Sequence, residues 1–141
     1  MAQTFKQPVF VQDKNNSRCE TVVLVDTNVI LMMGEDIKAF CKIGLKIAVT
    51  RSILRELKRK DQNLYAYACA NFVVINDSSQ EIVTEAGYIY THFPDNLLIA
   101  TAKIKRLALI SYDKVLLRVA VSQGVEACTP CLLYTSPSPR D

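Results

Sequence analysis

A run of branched apolar residues that ends at an acid constrains this sequence more than any other feature. Residues 22–25 read Val-Val-Leu-Val and are followed directly by Asp26, Thr27 and Asn28. A continuous apolar run of this length predicts a strand that is buried on both faces of a parallel sheet. An acid directly after such a strand lies at the carboxyl end of the sheet, where open α/β folds bind their ligands. The sequence therefore predicts a ligand site at Asp26.

Short apolar runs alternate with helical patterns along the rest of the chain. Helices are predicted between strands that cover residues 21–26, 46–49, 72–75, 107–111 and 125–127. The helix after the third strand is predicted to reach about Tyr90. Because the strands are apolar without alternation, helices must cover both faces of the sheet. The predicted fold is α/β, with three α/β/α layers and a central, mostly parallel sheet of about five strands.

The length of 141 residues is enough for one domain. Residues 1–18 are polar and are predicted to form an N-terminal arm, with a short edge strand at residues 9–11. Residues 19–131 form the predicted domain. Composition changes abruptly at residues 132–141, which resemble a translated sequencing adaptor and are predicted to be a disordered tail outside the fold.

Composition narrows the classes of protein that are compatible with this chain. The formal net charge of +3 permits a polyanionic partner without requiring one. The five cysteines are an odd number and are scattered, which indicates reduced thiols and not a disulfide framework. No apolar run approaches the length of a membrane span, and the N-terminus lacks the apolar core of a signal peptide. A cytoplasmic protein with no membrane partner is predicted.

Three further acids occupy places comparable to that of Asp26. Glu56 lies in the helix after the second strand, Asp95 in the first turn of the helix after Pro94, and Asp113 two residues past the fourth strand. Strand ends and the first turns of the following helices share one rim of a parallel sheet. We therefore expect the four acids to face one cleft.

Three of these acids also have an ordinary structural interpretation. Asp95 can complement the dipole of its helix, and Asp113 can cap the helix that it precedes. Glu56 can pair with Lys60 or Ser52 at helical spacing. Separate explanations are then needed for each acid, whereas a shared site explains all of them at once.

Four carboxylates in one cleft repel one another. At a separation of roughly 5 Å and an effective dielectric constant near ~20, each charged pair costs about 3 kcal/mol. Protons or cations must therefore neutralise the cluster, and an oxygen-only ligand set without a convergent His or Cys indicates Mg²⁺ or Mn²⁺. Two such ions can activate water and stabilise the leaving oxygen of a phosphoryl displacement. Thr27 and Asn28 are predicted to support the ligands, and Ser111 to orient the site.

Four segments of the chain resemble the motifs of PIN-domain (VapC-like) ribonucleases, in the order of that family. They cover residues 25–30, 54–57, 94–102 and 111–114. The last segment has Tyr112 where the family often has Asn. The resemblance implies endonucleolytic cleavage of RNA that depends on Mg²⁺ or Mn²⁺, with water as the nucleophile and with 5′-phosphate and 3′-hydroxyl products. It also implies that the metal ligands are Asp26, Glu56, Asp95 and Asp113.

The same resemblance implies partners. Family members are often homodimers, and many are toxins held by an antitoxin, whereas others process ribosomal RNA or act in RNA quality control. RNA is the implied substrate of the present chain, and an antitoxin or a protein of a processing complex is the implied partner.

A basic stripe follows the second predicted strand. It consists of Arg51, Arg55, Lys58, Arg59 and Lys60. Such a stripe is either a solvated helix face or, beside an acidic metal site, a surface that binds the phosphates of a polynucleotide. Lys114, next to Asp113, is a further predicted phosphate contact.

Two other classes of function remain compatible with the residues. The first is phosphoryl transfer through an aspartyl-phosphate at Asp26. A phosphatase of the haloacid-dehalogenase type requires a second Asp two residues later, where this chain has Asn28. A receiver domain requires paired acids upstream, and residues 1–20 contain no convincing pair. The second class is a catalytically silent RNA- or partner-binding module, which predicts binding without cleavage that Mn²⁺ stimulates.

Overall fold

A computed structural model describes residues 10–12, 19–42 and 44–131 of the chain. The strands in chain order are β1 (Phe10–Gln12), β2 (Cys19–Val25), β3 (Leu45–Thr50), β4 (Val73–Ile75), β5 (Ala108–Ile110) and β6 (Ala127–Cys128). Five of them form a parallel sheet in the order β4-β3-β2-β5-β6. The first strand, β1, pairs antiparallel with the beginning of β2. The predicted sheet is therefore confirmed.

Seven helices lie between the strands of the described part of the chain. They are α1 (Thr27–Met33), α2 (Ile37–Lys42), α3 (Arg51–Lys60), α4 (Gln62–Asn71), α5 (Gln80–Ala86), α6 (Asp95–Lys105) and α7 (Lys114–Ser122). Helix α3 packs against α1 and α4, whereas α6 packs against α5 and α7. These two groups cover the sheet and produce the three α/β/α layers that the sequence predicts.

The central strand is β2, which is buried on both faces as predicted. Val23, Leu24 and Val25 have no exposed surface. Val23 pairs with Ile47 of β3 on one side and with Ala108 of β5 on the other. Because β2 has parallel neighbours on both sides, the residue that follows it lies between the carboxyl ends of two other strands.

Helix α5 is shorter than the sequence predicts, and the predicted end near Tyr90 is wrong. The helix ends at Ala86, and the amide of Gly87 donates to the carbonyls of Val83 and Thr84. Ile89 then turns into the core, where it is 3% exposed, and its aromatic neighbours stay in solvent. Burial of this one side chain ends the helix before Tyr90.

The boundaries of the predicted domain remain predictions. Strand β1 falls within the predicted arm and close to the predicted edge strand. The remainder of the arm, residues 1–9 and 13–18, and the predicted tail at residues 132–141 lie outside the described residues. No helix in the described ranges is both long enough and apolar enough to span a bilayer.

Candidate active site

A cleft of about 840 Å³ lies at the carboxyl end of the sheet. Residues that follow β2, β3, β4 and β5 contribute to its lining, together with the first turns of α1, α3 and α6. The structure brings all four acids of the sequence analysis to this cleft, namely Asp26, Glu56, Asp95 and Asp113.

Asp26 is held in one orientation by hydrogen bonds to both of its carboxylate oxygens. Its Oδ1 accepts from the backbone amide of Thr27 at 2.7 Å, and its Oδ2 accepts from the hydroxyl of Ser111 at 2.9 Å. Its own amide donates to the carbonyl of Ile110 at 3.0 Å. Asp26 thus ends β2, caps α1 and is tied to the end of β5.

Ser111 connects two of the acids. It is fully buried, and its hydroxyl donates to Asp26 and accepts from the backbone amide of Asp113 at 3.0 Å. Asp113 in turn caps α7, because its Oδ1 accepts from the amides of Val115 and Leu116. The capping role that the sequence allows for Asp113 is therefore real, and it coexists with a place in the cleft.

Glu56 reaches from α3 toward α1. Its Oε1 accepts from the hydroxyl of Thr27 at 2.9 Å, and Thr27 is itself only 5% exposed. Its Oε2 lies 3.4 Å from the Nζ atom of Lys60, so the predicted pairing at helical spacing is also present. An exposed pair of this kind contributes little to stability, whereas the bond to Thr27 fixes the side chain in the cleft.

The acids of the cleft act on one another electrostatically. Burial raises the pKa of Asp26, and the charges of Asp95 and Glu56 add to this effect, although the hydrogen bonds from Ser111 and Thr27 oppose it. Burial also raises the pKa of Asp95, with further increases from Asp113 and Glu56 and a decrease from His92. Each of the four acids therefore takes part in a repulsion that a bound cation would relieve.

The chemistry of the cleft fits a hard divalent cation. Its candidate donors are carboxylate oxygens and the amide oxygen of Asn28, which is buried and has no hydrogen-bond partner among the residues that the structure describes. Within the described ranges, however, no three Asp, Glu, His or Cys side chains are close enough together to hold a metal ion. The acids would have to move closer together in order to share an ion.

The basic residues divide into two groups. Arg55 and Arg59 line the cleft, as does Lys58 from the same helix. Arg51 and Lys114, which the sequence analysis also proposed as phosphate contacts, are exposed and do not line it. Arg51 differs from Arg55 and Arg59 because only one side of α3 borders the cleft, whereas Lys114 belongs to α7.

Several residues of the lining were not predicted from the sequence, among them Asp77 and Phe93. Asp77 follows β4 by two residues and lines the cleft as a buried side chain, and Phe93 lines it from the segment before α6. The signal for Asp77 was available, since it stands after a predicted strand much as Asp113 does. The turn composition around it favoured a purely local role.

Solved structures of three other proteins have a similar fold. VapBC2 from Rickettsia felis, bound to a DNA fragment from its promoter, is 13% identical and covers 77% of this chain and 98% of its own, with a TM-score of 0.60. A PilT N-terminus domain protein from Sulfolobus solfataricus is 16% identical and covers 85% and 96%, with a TM-score of 0.62. The chain has a PIN-like fold. A protein from Pyrobaculum aerophilum is 17% identical to this PIN-like domain and covers 81% of this chain and 93% of its own, with a TM-score of 0.59.

Neither a family model nor a curated protein sequence matches the chain. Likeness to solved structures at 13–17% identity establishes the fold of the PIN-like domain. Its activity depends on which side chains the fold brings into the cleft.

Proposed function

We propose that this PIN-like domain is a metal-dependent endoribonuclease that hydrolyses the phosphodiester bonds of RNA. One observation carries the proposal, namely that four acids from distant parts of the sequence line one cleft at the carboxyl end of the sheet. Burial is the main cause of the raised pKa values of Asp26 and Asp95, and the charges of the neighbouring acids raise them further, which supports the binding of divalent cations. The cations on α3 complement this arrangement, because RNA is a polyanion.

Asp26, Glu56, Asp95 and Asp113 would hold the Mg²⁺ or Mn²⁺. When bound, such ions supply an activated water and stabilise the leaving oxygen of the cleaved bond. The chain itself supplies orientation. Asp26 is oriented in the cleft by two donors and Glu56 by one, and a shift of the acids toward one another would complete the set of ligands around an ion. Asn28 adds a neutral oxygen donor beside the acids.

The proposal is tested with purified protein and a 5′-fluorescein-labelled RNA in Mg²⁺, in Mn²⁺ and in EDTA. We expect cleavage only with the divalent ions, and products that carry a 5′-phosphate and a 3′-hydroxyl. Asp26→Asn protein purified in parallel controls for contaminating nuclease. Cleavage in EDTA, or equal cleavage by the variant, contradicts the proposal. Binding without cleavage identifies the silent module instead, and beryllofluoride trapping at Asp26 identifies the phosphotransferase.

Arg55 and Arg59 are expected to bind RNA phosphates, because both line the cleft beside the acids. In the double variant Arg55→Ala, Arg59→Ala we expect the affinity for RNA to fall about tenfold, and the slope of log affinity against log salt to decrease by about 1.4. Fluorescence anisotropy over a salt series measures both. Arg51→Ala is the matched control, since Arg51 belongs to the same helix and lies outside the lining. An equal effect of the control variant would assign binding to net charge alone.

We also propose a protein partner, either an antitoxin or a subunit of an RNA-processing complex, and a homodimer as the assembly. Both proposals rest on the resemblance to the VapC-like family. Light scattering after size exclusion distinguishes dimer from monomer.

A further inference from the structure

Asp77 is a buried acid of the cleft that the proposed reaction does not use. The residue belongs to the lining of the cleft and is only 3% exposed. Its Oδ2 atom is buried and has no hydrogen-bond partner in the described part of the chain. A carboxylate without a partner is strongly disfavoured in such a position, so a ligand that donates hydrogen bonds is expected there.

The local turn does not require the Asp77 carboxylate. Asn76 closes the turn, because its Oδ1 accepts from the amide and the hydroxyl of Ser78 at 3.0 and 2.8 Å. Ser79 caps α5 by accepting from the amide of Ile82 at 3.4 Å. An acid before a helix usually closes the turn or caps the helix, and here Asn76 and Ser79 perform these two roles.

Asp77 also lies apart from the four acids. It follows β4, which is two strands away from β2, so it stands about 10 Å from Asp26 along the sheet. The acids whose charges raise the pKa of Asp26 or Asp95 do not include Asp77. Its position suits a part of the substrate that is distant from the reacting phosphate.

We propose that Asp77 recognises a nucleobase of the RNA and gives the cleft a preference for guanine. This inference rests on the proposed function. An ionised carboxylate only accepts hydrogen bonds, and it has two oxygens side by side. Guanine presents two adjacent donors, N1–H and N2–H, on its Watson–Crick edge, which single-stranded RNA leaves free. The other bases present one amino or imino donor next to an acceptor, which the carboxylate repels.

The neighbouring residues suit the same nucleotide. Strand β3 lies beside β4, and the helix that follows β3 brings Ser52 and Arg55 to the lining. The Ser52 hydroxyl accepts from the Arg55 guanidinium at 3.3 Å. Arg55 is exposed and can bind the phosphate of the nucleotide whose base reaches Asp77.

The test measures binding without cleavage. Labelled uridine hexamers that carry one central G, A, C or U are titrated in EDTA against wild-type protein, Asp77→Asn and Glu81→Gln, with fluorescence anisotropy as the readout. Glu81 is the matched control, because it is an exposed acid in the first turn of α5 and does not line the cleft. We expect wild-type protein and the control to bind the G-containing hexamer about tenfold more tightly than the others, which is within the range of a bidentate base contact. Asp77→Asn should lose the preference for the G-containing hexamer, because the amide of Asn presents a donor beside its acceptor and no longer matches the two donors of guanine.

Several outcomes would overturn the inference. Wild-type protein without a guanine preference would do so, as would an unchanged preference in Asp77→Asn. Loss of one Mn²⁺ equivalent from Asp77→Asn in calorimetry would make Asp77 a cation ligand. If Asp77→Asn does not fold, Asp77→Ser is tested in its place, and unfolding of both would assign a structural role. Absence of cleavage by a wild-type protein that prefers guanine would defeat the proposed nuclease and leave the base contact standing.

Discussion

Asp26→Asn is expected to lower Mn²⁺-dependent RNA cleavage by about a thousandfold or more. Asp26 lines the cleft with the other three acids, and its substitution removes a charge that the proposed cations require. A thousandfold change corresponds to about 4 kcal/mol of transition-state stabilisation, a magnitude that is usual for metal-ion catalysis. Initial rates on the fluorescein-labelled RNA, with variant enzyme at high concentration, measure the change.

The same substitution is expected to stabilise the metal-free protein at neutral pH. The pKa of Asp26 is raised from its ordinary value of 3.8, so ionisation of this group favours the unfolded chain. This penalty is fully present above the folded-state pKa and disappears as the pH falls below 3.8, because the group is then protonated in both states. The free energy of unfolding of Asp26→Asn should therefore exceed that of wild type at pH ~7.5, and the difference should shrink toward acid pH.

Urea unfolding in EDTA at several pH values measures this difference. Asp61→Asn is the control, since Asp61 caps α4 outside the cleft lining and Asn retains the capping oxygen. We expect no loss of cleavage in the control. A destabilised Asp26→Asn would mean that the acid is a structural cap and that its lost activity reflects misfolding.

Ser111→Ala is expected to reduce both stability and cleavage. Its fully buried hydroxyl serves two partners, the carboxylate of Asp26 and the amide of Asp113. Loss of the hydroxyl removes this hydrogen bond from the Oδ2 atom of Asp26 and from the amide of Asp113, at a cost of about 1–3 kcal/mol in the free energy of unfolding. Cleavage should fall by roughly 10- to 100-fold, as for other residues that orient metal ligands.

The pH profile of the cleavage rate distinguishes a role of Ser111 in orienting Asp26 from a role in stability alone. The hydrogen bond from Ser111 lowers the pKa of Asp26, so its removal should raise that pKa and move the acidic limb of the rate profile to higher pH. Thr101→Val is the matched control, because its buried hydroxyl donates only to the carbonyl of Leu97 in the same helix. It can lower stability but should leave the profile unchanged. If the acidic limb of the rate profile does not shift in Ser111→Ala, Ser111 contributes only to packing and does not orient Asp26.

Local features of the chain were sufficient to predict most of the fold. The apolar run at residues 22–25 predicted a strand buried on both faces, and Val23, Leu24 and Val25 are indeed fully buried in the centre of the sheet. The strands predicted at residues 46–49 and 107–111 followed in the same way from residue type, and the structure has them as Leu45–Thr50 and Ala108–Ile110. The end of α5 could not be predicted in this way, because it depends on the burial of Ile89 in the core.

The sequence by itself determined that Asp26 ends a doubly buried strand, that Asp113 follows a strand, that Asp95 begins a helix and that Glu56 lies in the helix after the second strand. Such features depend on neighbours in the chain. Only the tertiary structure decided that Ser111 links Asp26 to Asp113, that Lys58 lines the cleft and Arg51 does not, and that the buried Oδ2 atom of Asp77 has no hydrogen-bond partner in the described ranges. These facts depend on the strand order β4-β3-β2-β5-β6. That order brings together residues up to 85 positions apart, which local periodicity cannot specify.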